Sequence, residues 1–203
     1  MSQLKNLVLL TKTRMKAQEF YLVLIGAKQV LRQGYTDTEF EALAELCSLC
    51  NLQFVKSDFA VELVEKSFSN KGSKITDAKR LAKDKSLLYF YYVSRDLDLA
   101  QLAKRAEGND DHRSLGKLLG YPDCCISYFL SQFSEQNPNP EFLPRKWQVN
   151  ITQRPIDYCI LSHFPCSNDC AQSILLSEYY LDLFKLDDVA WADKLIKHLN
   201  EVS

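Results

Sequence analysis

The sequence predicts an α+β fold, with a small N-terminal sheet and helices followed by a mainly helical C-terminal half. Residues 87–93 form a run dense in aromatic side chains, which is typical of a β-strand. After Ser94, apolar residues recur at helical spacing between capping signals. The 203 residues are 46% hydrophobic and 25% charged, so the chain can bury a substantial core.

The first hundred residues carry the signals for the sheet and its helices. Residues 36–39 match a capping box, in which Thr36 is the N-cap and Glu39 reaches back to it. A helix should follow, because apolar residues then recur at helical spacing. Residues 52–56 alternate like a strand, and residues 59–64 predict a further strand.

The C-terminal half begins with two predicted helices. The first starts near Leu97 and should end near Gly108. The second is capped by residues 109–111 and should end at Gly120, since glycine commonly follows a helix in the left-handed conformation.

The rest of the chain divides at a linker. Residues 136–140 contain two prolines and cannot continue a helix, and a last helix should begin at Asp187 or Asp188. We therefore predict an α+β region over 1–108 and a helical region with the cysteine motifs over 109–203, packed as one compact unit.

Composition and simple motifs exclude several function classes. With 25 Lys and Arg against 26 Asp and Glu, no overall field points to nucleic acid or anionic lipid. The longest apolar run, residues 20–27, is shorter than the roughly 20 residues that cross a bilayer, and the first residues do not resemble an export signal. We expect a cytoplasmic protein with no membrane partner. The sequence also lacks the phosphate-loop, dinucleotide-binding and nucleophile-elbow patterns of common enzymes.

The seven cysteines are the most informative feature. Their number is odd, and a reducing compartment keeps thiols free, so clustered cysteines there are more often metal ligands or reactive thiols than disulfides. They are Cys47, Cys50, Cys124, Cys125, Cys159, Cys166 and Cys170.

Two cysteines lie at a predicted helix start after Gly120. Pro122 suits the first position of that helix, which puts Cys124 and Cys125 in its first turn. Unpaired backbone N–H groups and the helix dipole stabilise a thiolate there. Adjacent residues point about 100° apart on a helix, so we expect Cys125 to pack in the core and Cys124 to ligate or react.

A second cysteine-bearing helix start is predicted further along the chain. Ser167 is a plausible N-cap, which places Cys170 at the third helical position and Cys166 just before the helix. His163 precedes Cys166 by three residues, a spacing that lets the histidine and both thiols converge on one ion.

This pair of motifs resembles a known family. Leu-Gly-Tyr-Pro-x-Cys-Cys at 119–125 and His-x-Pro-Cys-Ser-x-x-Cys at 163–170 are similar to a family described only as a domain of unknown function, number 483, found chiefly in archaea and bacteria. The resemblance is sharp over 112–129 and 163–173 and vague over the first hundred residues. It brings no reaction, cofactor or substrate. It implies that both segments belong to one module, so that their cysteines meet in space.

The leading hypothesis is a Cys/His cluster that binds a metal or performs thiol chemistry. Zinc suits a mixed Cys/His set, and an iron–sulfur cluster suits four thiolates. Sulfurs of the two helix starts should lie within roughly 7 Å of one another, close enough for a bridge or a shared ion. The expected metal ligands are Cys124, Cys125, His163, Cys166 and Cys170, and the same set without Cys125 would carry any catalysis.

Two other classes of function stay open, and the sequence does not decide whether the protein is an enzyme. In one, the cysteines only staple two helix starts of a non-catalytic interaction module. In the other, the protein is a nucleic-acid-binding accessory, which is disfavoured by the balanced charge. Its basic residues would be Lys5, Lys12, Arg14 and Lys16 with Lys79, Arg80 and Lys83.

The remaining cysteines and histidines have ordinary interpretations. Cys47 and Cys50 have C-x-x-C spacing but lie near a helix C-terminus, where the dipole disfavours thiolate, so core packing is expected. We expect Cys159 to be buried and inert. His112 should lie at the surface or support a ligand, and His198 should lie at the surface.

Overall fold

The computed structural model describes residues 2–63, 72–134, 136–137 and 139–202. It confirms the α+β class. The chain forms two compact units, one made of Met1–Tyr21 with Tyr121–Ser203 and the other of Leu22–Gly120. Val64, in the second predicted strand, and Pro138, in the predicted linker, lie outside the described residues.

The unit Leu22–Gly120 contains a four-stranded antiparallel sheet. In the order in which they pair, its strands are β1 (Val30–Tyr35), β4 (Leu88–Ser94), β2 (Gln53–Leu63) and β3 (Gly72–Ile75). The aromatic run predicted as a strand is β4, at the centre of this sheet. Its Phe90, Tyr91 and Tyr92 are almost fully buried, so the aromatic side chains form the core of the sheet.

Strand β2 replaces two predicted strands. Residues 53–56 of the first predicted strand and 59–63 of the second belong to one strand, whose pairing with β4 is shifted between Lys56 and Ala60. The irregularity leaves Ser57 buried, where its Oγ accepts a hydrogen bond of 3.1 Å from the Phe90 N–H. The prediction of two strands was wrong because a bulge interrupts the alternation of side chains without ending the strand.

Four helices complete this unit: α3 (Phe40–Leu49), α4 (Ala78–Lys83), α5 (Leu97–Gly108) and α6 (His112–Leu118). A short 3-10 turn, Asp37–Glu39, precedes α3, and the Glu39 carboxylate accepts a 2.8 Å hydrogen bond from the Thr36 N–H. Asp111 caps α6 by accepting a 3.0 Å hydrogen bond from the Ser114 N–H, as predicted.

A buried ion pair connects the sheet to α5. The guanidinium of Arg32 on β1 contacts both carboxylate oxygens of Glu107, and the Tyr92 hydroxyl donates a 2.6 Å hydrogen bond to the same carboxylate. The Arg32 guanidinium also lies 3.5 Å from the centre of the Phe90 ring. Glu107 is 8% exposed, and all of its neighbours in this network are donors, so its charge is compensated.

The other unit is helical. It contains α1 (Gln3–Thr11), most of α2 (Arg14–Leu24), α7 (Asp123–Gln132), α8 (Ala171–Asp187) and α9 (Val189–Glu201), with 3-10 turns at Trp147–Val149 and Arg154–Ile156. The Asp187 carboxylate, at the end of α8, accepts hydrogen bonds of 2.7 to 2.9 Å from the first residues of α1. Within the described residues, none of the helices is both long and apolar enough to cross a membrane.

His198 differs from its prediction as a surface residue. Its ring is half-buried, 4.1 Å from the centre of the Tyr158 ring. The Arg14 guanidinium lies over the other aromatic residues of this cluster, 4.5 Å from the Tyr158 ring centre and 4.9 Å from that of Trp191. The sequence pattern of α9 cannot reveal this packing, because Tyr158 comes from a loop far away in the chain.

Candidate metal centre

The first cysteine pair lies where α7 begins. Gly120 has a φ of 74°, the left-handed conformation expected after a helix. Pro122 is the N-cap of α7 rather than its first helical residue, and its carbonyl accepts a 2.9 Å hydrogen bond from the Ile126 N–H. Cys124 and Cys125 therefore occupy the first turn, as predicted.

The second pair lies before α8, which begins later than predicted. Cys170 itself is the N-cap, and the first helical hydrogen bond runs from the Ile174 N–H to the Cys170 carbonyl, 2.9 Å. Ser167 instead begins a turn, whose weak 3.4 Å hydrogen bond joins the Cys170 N–H to the Ser167 carbonyl. The interpretation of Ser167 as N-cap was wrong because a serine favours turns as well as caps.

Contacts with neighbouring segments hold this turn in place. The side-chain amide of Asn168 donates to the Leu143 carbonyl at 3.1 Å, and its oxygen accepts from the Arg145 N–H at 2.8 Å. The Phe164 ring stacks on Phe129 of α7 with 5.7 Å between ring centres. Packing of this kind brings the turn against α7, which is how two distant segments place their thiols together.

Four sulfur atoms converge between the two helix starts. The Sγ atoms of Cys124, Cys125, Cys166 and Cys170 all lie within 4.8 Å of one another, which confirms the predicted meeting of the two motifs. The Cys170 Sγ is 3.6 Å from the Sγ of Cys124 and 3.6 Å from that of Cys125. Cys125 and Cys170 are buried, Cys166 is half-buried and Cys124 is exposed.

Both adjacent cysteines reach the cluster. Their Sγ atoms are 3.8 Å apart, although we expected neighbouring side chains on a helix to diverge. Both residues belong to the first turn of α7. Helical side chains tilt toward the N-terminus, so two residues of the first turn can both point past that end.

His163 lies behind the sulfurs rather than among them. Its Nε2 is 2.9 Å from the Oγ of Ser173, and that Oγ is 3.1 Å from the Cys125 Sγ. His163 is 4% exposed, and its ring centre is 5.2 Å from that of Tyr121. This geometry favours hydrogen-bonded support of the cluster over the role of ligand that the sequence predicted for His163.

Sequence reasoning missed Ser173, which bridges the histidine and the cluster. Its side chain is fully buried, three residues after the Cys170 N-cap. The spacing Cys-x-x-Ser could have indicated it only if the helix start had been placed correctly, because the third helical residue faces the N-cap side chain.

The surroundings make the Cys170 thiol more acidic than the thiols of Cys125 and Cys166. Burial would raise the pKa of Cys170, but hydrogen bonds from the Ser173 side chain and N–H and from the thiols of Cys166 and Cys125 lower it to about 7. Burial raises the pKa of Cys166 to about 11 and raises that of Cys125 further still. The Cys170 thiol therefore loses its proton near neutral pH, whereas the thiols of Cys125 and Cys166 hold theirs more tightly.

The three cysteines outside the cluster have the surroundings of structural residues. Cys47 is 1% exposed, and burial raises its pKa to about 12. Burial also raises the pKa of the half-buried Cys50, at the C-terminal end of α3. Cys159 is buried, and burial raises its pKa to about 11. These positions agree with the expected core packing.

The basic residues proposed for nucleic-acid binding divide between the two units. In the helical unit, Lys5 forms a 2.6 Å ion pair with Asp188, and Arg14 lies over two aromatic rings. In the sheet unit, Arg80 forms a 2.6 Å ion pair with Glu62. His112 is in this unit too, half-buried at the start of α6.

Comparisons with known proteins add no assignment to this site. Models of known protein families gave no match to the chain. Searches of curated proteins and of solved structures gave none either.

Proposed function

We propose that the protein binds one zinc ion through the thiolates of Cys124, Cys125, Cys166 and Cys170. The observation that carries this proposal is the spacing of the four sulfurs, all within 4.8 Å of one another. Four thiolates form one of the usual ligand sets of structural zinc.

The sulfur spacing favours a single ion over an iron–sulfur cluster. Four sulfurs about 2.3 Å from a central zinc form a tetrahedron with edges of about 3.8 Å. Three of the sulfur separations are 3.6, 3.6 and 3.8 Å, and all of them are within 4.8 Å. In a four-iron cluster each thiolate binds a different iron atom, so the sulfurs must stand further apart.

The surroundings suit the charge of such a site. Four thiolates around a divalent ion leave two negative charges, which backbone N–H groups and the positive end of a helix dipole stabilise. The Ser173 N–H, in the first turn of α8, donates to the Cys170 sulfur, and the Cys166 N–H donates to the Cys125 sulfur. Ser173 and His163 extend the hydrogen bonding to a second layer, which fixes the orientation of ligands in metal sites.

A zinc ion with four protein ligands has no open position for a substrate. Such a site contributes folding energy and holds segments together, rather than activating water. Here the ion would join α7 to the segment before α8. The metal, rather than a disulfide, would then hold the two segments of a non-catalytic module together. The same function accounts for the motif pair that resembles domain of unknown function 483, because its cysteines are the four ligands. Free thiolates need a reducing environment, which supports the cytoplasm as the location.

Metal analysis of the protein purified without oxygen tests the proposal. We expect one zinc per chain, no visible absorption band, and loss of zinc in Cys125→Ser, Cys166→Ser and Cys170→Ser. Cys159→Ser is the matched control, since it removes a buried cysteine of the same unit that lies outside the cluster, and it should keep one zinc. Iron with a visible spectrum, or zinc binding that survives Cys170→Ser, would contradict the proposal.

Dithiol chemistry is a second candidate function, favoured by one observation. The Sγ of the exposed Cys124 is only 3.6 Å from the Sγ of Cys170. Such a pair can reduce a disulfide substrate to two thiols while the cysteines themselves become a disulfide. Protein that binds no zinc when supplied with it, yet reduces one equivalent of a small disulfide per chain in a reaction that Cys124→Ser abolishes, would establish this function instead.

A further inference from the structure

We infer that Cys124 makes the metal centre sensitive to peroxide: oxidation of this ligand opens the site, releases zinc and leaves a disulfide between Cys124 and Cys170. The inference rests on the proposed zinc function and adds the regulation of that site. It is carried by the unequal exposure of the four ligands and by the separations between their sulfurs.

Cys124 is the ligand that an oxidant in solution can reach. It is the one exposed cysteine of the four, whereas Cys125 and Cys170 are buried and Cys166 is half-buried. Its Sγ has the exposed side chain of Gln172 as a further neighbour, with the Oε1 at 3.6 Å. Oxidation of cysteines by peroxide is selective for accessible thiolates, so Cys124 should react first.

Cys170 is the suitable partner for the oxidised sulfur. It comes from the other segment, and its Sγ is 3.6 Å from that of Cys124. Cys125 is nearly as close, at 3.8 Å, but it is the next residue in the chain. Neighbouring residues in a helical turn cannot adopt ordinary disulfide geometry without distorting the backbone, so a bond between Cys124 and Cys125 is disfavoured.

The chemistry balances with hydrogen peroxide as the oxidant. The Cys124 thiolate attacks one peroxide oxygen, the O–O bond breaks, and hydroxide leaves, which gives a sulfenic acid. The Cys170 thiolate then attacks the sulfenic sulfur, an S–S bond forms, and a second hydroxide leaves. Two thiolates thus lose two electrons in total, one peroxide is reduced, and two protons from solvent convert both hydroxides to water. Zinc loses two of its ligands and dissociates.

The first experiment measures zinc release from the zinc-loaded protein with a colorimetric chelator while hydrogen peroxide is added. Cys124→His keeps a ligand at this position, because three cysteines and one histidine are a usual zinc set, but it removes the exposed thiolate. We expect release from this variant to be at least about tenfold slower than from the wild type. Cys50→Ser is the matched control, since it removes a half-buried thiol outside the cluster and should leave the rate unchanged.

The second experiment maps the disulfide in the oxidised wild type. Cleavage after Lys and Arg and before Asp puts Cys124 and Cys125 in peptide 123–145, Cys159 and Cys166 in 157–168, and Cys170 in 169–181. We expect a link between 123–145 and 169–181, with fragmentation assigning it to Cys124. If Cys124→His does not bind zinc, this measurement on the wild type alone tests whether oxidation joins Cys124 to Cys170.

The outcomes separate the inference from the proposed function. Protein that never binds zinc overturns both. Zinc-loaded protein whose release rate is the same in Cys124→His and the wild type overturns the inference alone, and so does an oxidised protein without the Cys124–Cys170 link.

Discussion

Ser173 and Ser177 lie one turn apart on α8 and are both fully buried, but their hydroxyl groups have different surroundings. The Oγ of Ser173 lies between the Cys125 thiol and the His163 ring. The Oγ of Ser177 has no hydrogen-bond partner within the described part of the chain. The two serines are therefore a matched pair for measuring what the bridge to the metal centre contributes.

Replacing Ser173 by alanine should destabilise the protein, whereas replacing Ser177 should not. Ser173→Ala leaves the His163 Nε2 buried without this partner, which should lower the free energy of unfolding by about 1–3 kcal/mol. Ser177→Ala removes a hydroxyl that is already unpaired, so the free energy of unfolding should not fall by more than about 0.5 kcal/mol. Urea unfolding of both variants, each loaded with zinc, measures the difference.

Zinc affinity should separate the same two variants. The bridge orients a ligand through a second layer of hydrogen bonds, and loss of such support typically weakens metal binding by about 10–100-fold. A competition titration with a chelator should show this loss in Ser173→Ala and wild-type affinity in Ser177→Ala. Equal zinc affinities of the two variants would mean that the Ser173 hydroxyl contributes to packing but not to metal binding.

Zinc binding should release protons. Burial raises the pKa of Cys166 to about 11 and raises that of Cys125 further, so both thiols carry protons at pH 7.5 in the metal-free protein. Both must ionise to bind zinc, which predicts release of at least about two protons and an affinity that rises about 100-fold or more per pH unit. Calorimetry in buffers with different ionisation enthalpies counts the protons. Release of fewer than two would show that one of these thiols does not bind the ion.

The stability of the metal-free, reduced protein should depend on Cys170. Against the effect of burial, hydrogen bonds from Ser173 and neighbouring thiols lower the pKa of Cys170 from 9.0 to about 7 in the folded state. Between these values the unfolded chain binds more protons, so stability rises from pH 7 toward 9 and is lost as the pH falls through 7. Urea unfolding at pH 6.5 and 8.5 should show this rise in the wild type and in Cys50→Ser. A rise of the same size in Cys170→Ser would contradict the assignment.

The ion pair between Arg32 and Glu107 should stabilise the sheet unit against unfolding. Glu107→Ala leaves the mostly buried guanidinium uncompensated and should cost about 3 kcal/mol of unfolding free energy. Lys104→Ala is the control on the same helix, because it breaks a pair with the Asp58 carboxylate, which is 86% exposed, and should cost no more than about 0.5 kcal/mol. If the two variants lost similar amounts of unfolding free energy, the buried pair of Glu107 would contribute no more to stability than the exposed pair of Lys104.

Local signals predicted most of the fold and part of the candidate site. The aromatic strand, the Asp111 cap and the turn at Gly120 depend on neighbouring residues, and the structure has them where the sequence indicated. The convergence of the two cysteine motifs was also predicted. The spacing of His163, Cys166 and Cys170 suits shared ligands, and the family resemblance implied that both motifs belong to a single module.

The errors arose where distant residues decide the local structure. The bulge in β2 depends on Ser57 bonding to the backbone of β4, and the late start of α8 depends on Asn168 bonding to residues 143–145. Likewise, only the position of α7 relative to the turn shows that the adjacent Cys124 and Cys125 can both reach the cluster. Propensities along the chain contain no information about such contacts.

The order of the two units along the chain has a consequence for synthesis. The sheet unit is translated between the two parts of the helical unit, and the contact between Ser2 and Asp187 spans 185 residues of sequence. At roughly 5–20 residues per second, α1 waits about ten seconds or more on the ribosome before α8 exists. The sheet unit can fold during that interval, whereas the thiols of Cys166 and Cys170 emerge only after that unit has been made. At the proposed site, zinc can therefore bind only after the sheet unit has been synthesised, and a shortage of zinc would leave a finished sheet attached to an incomplete helical unit.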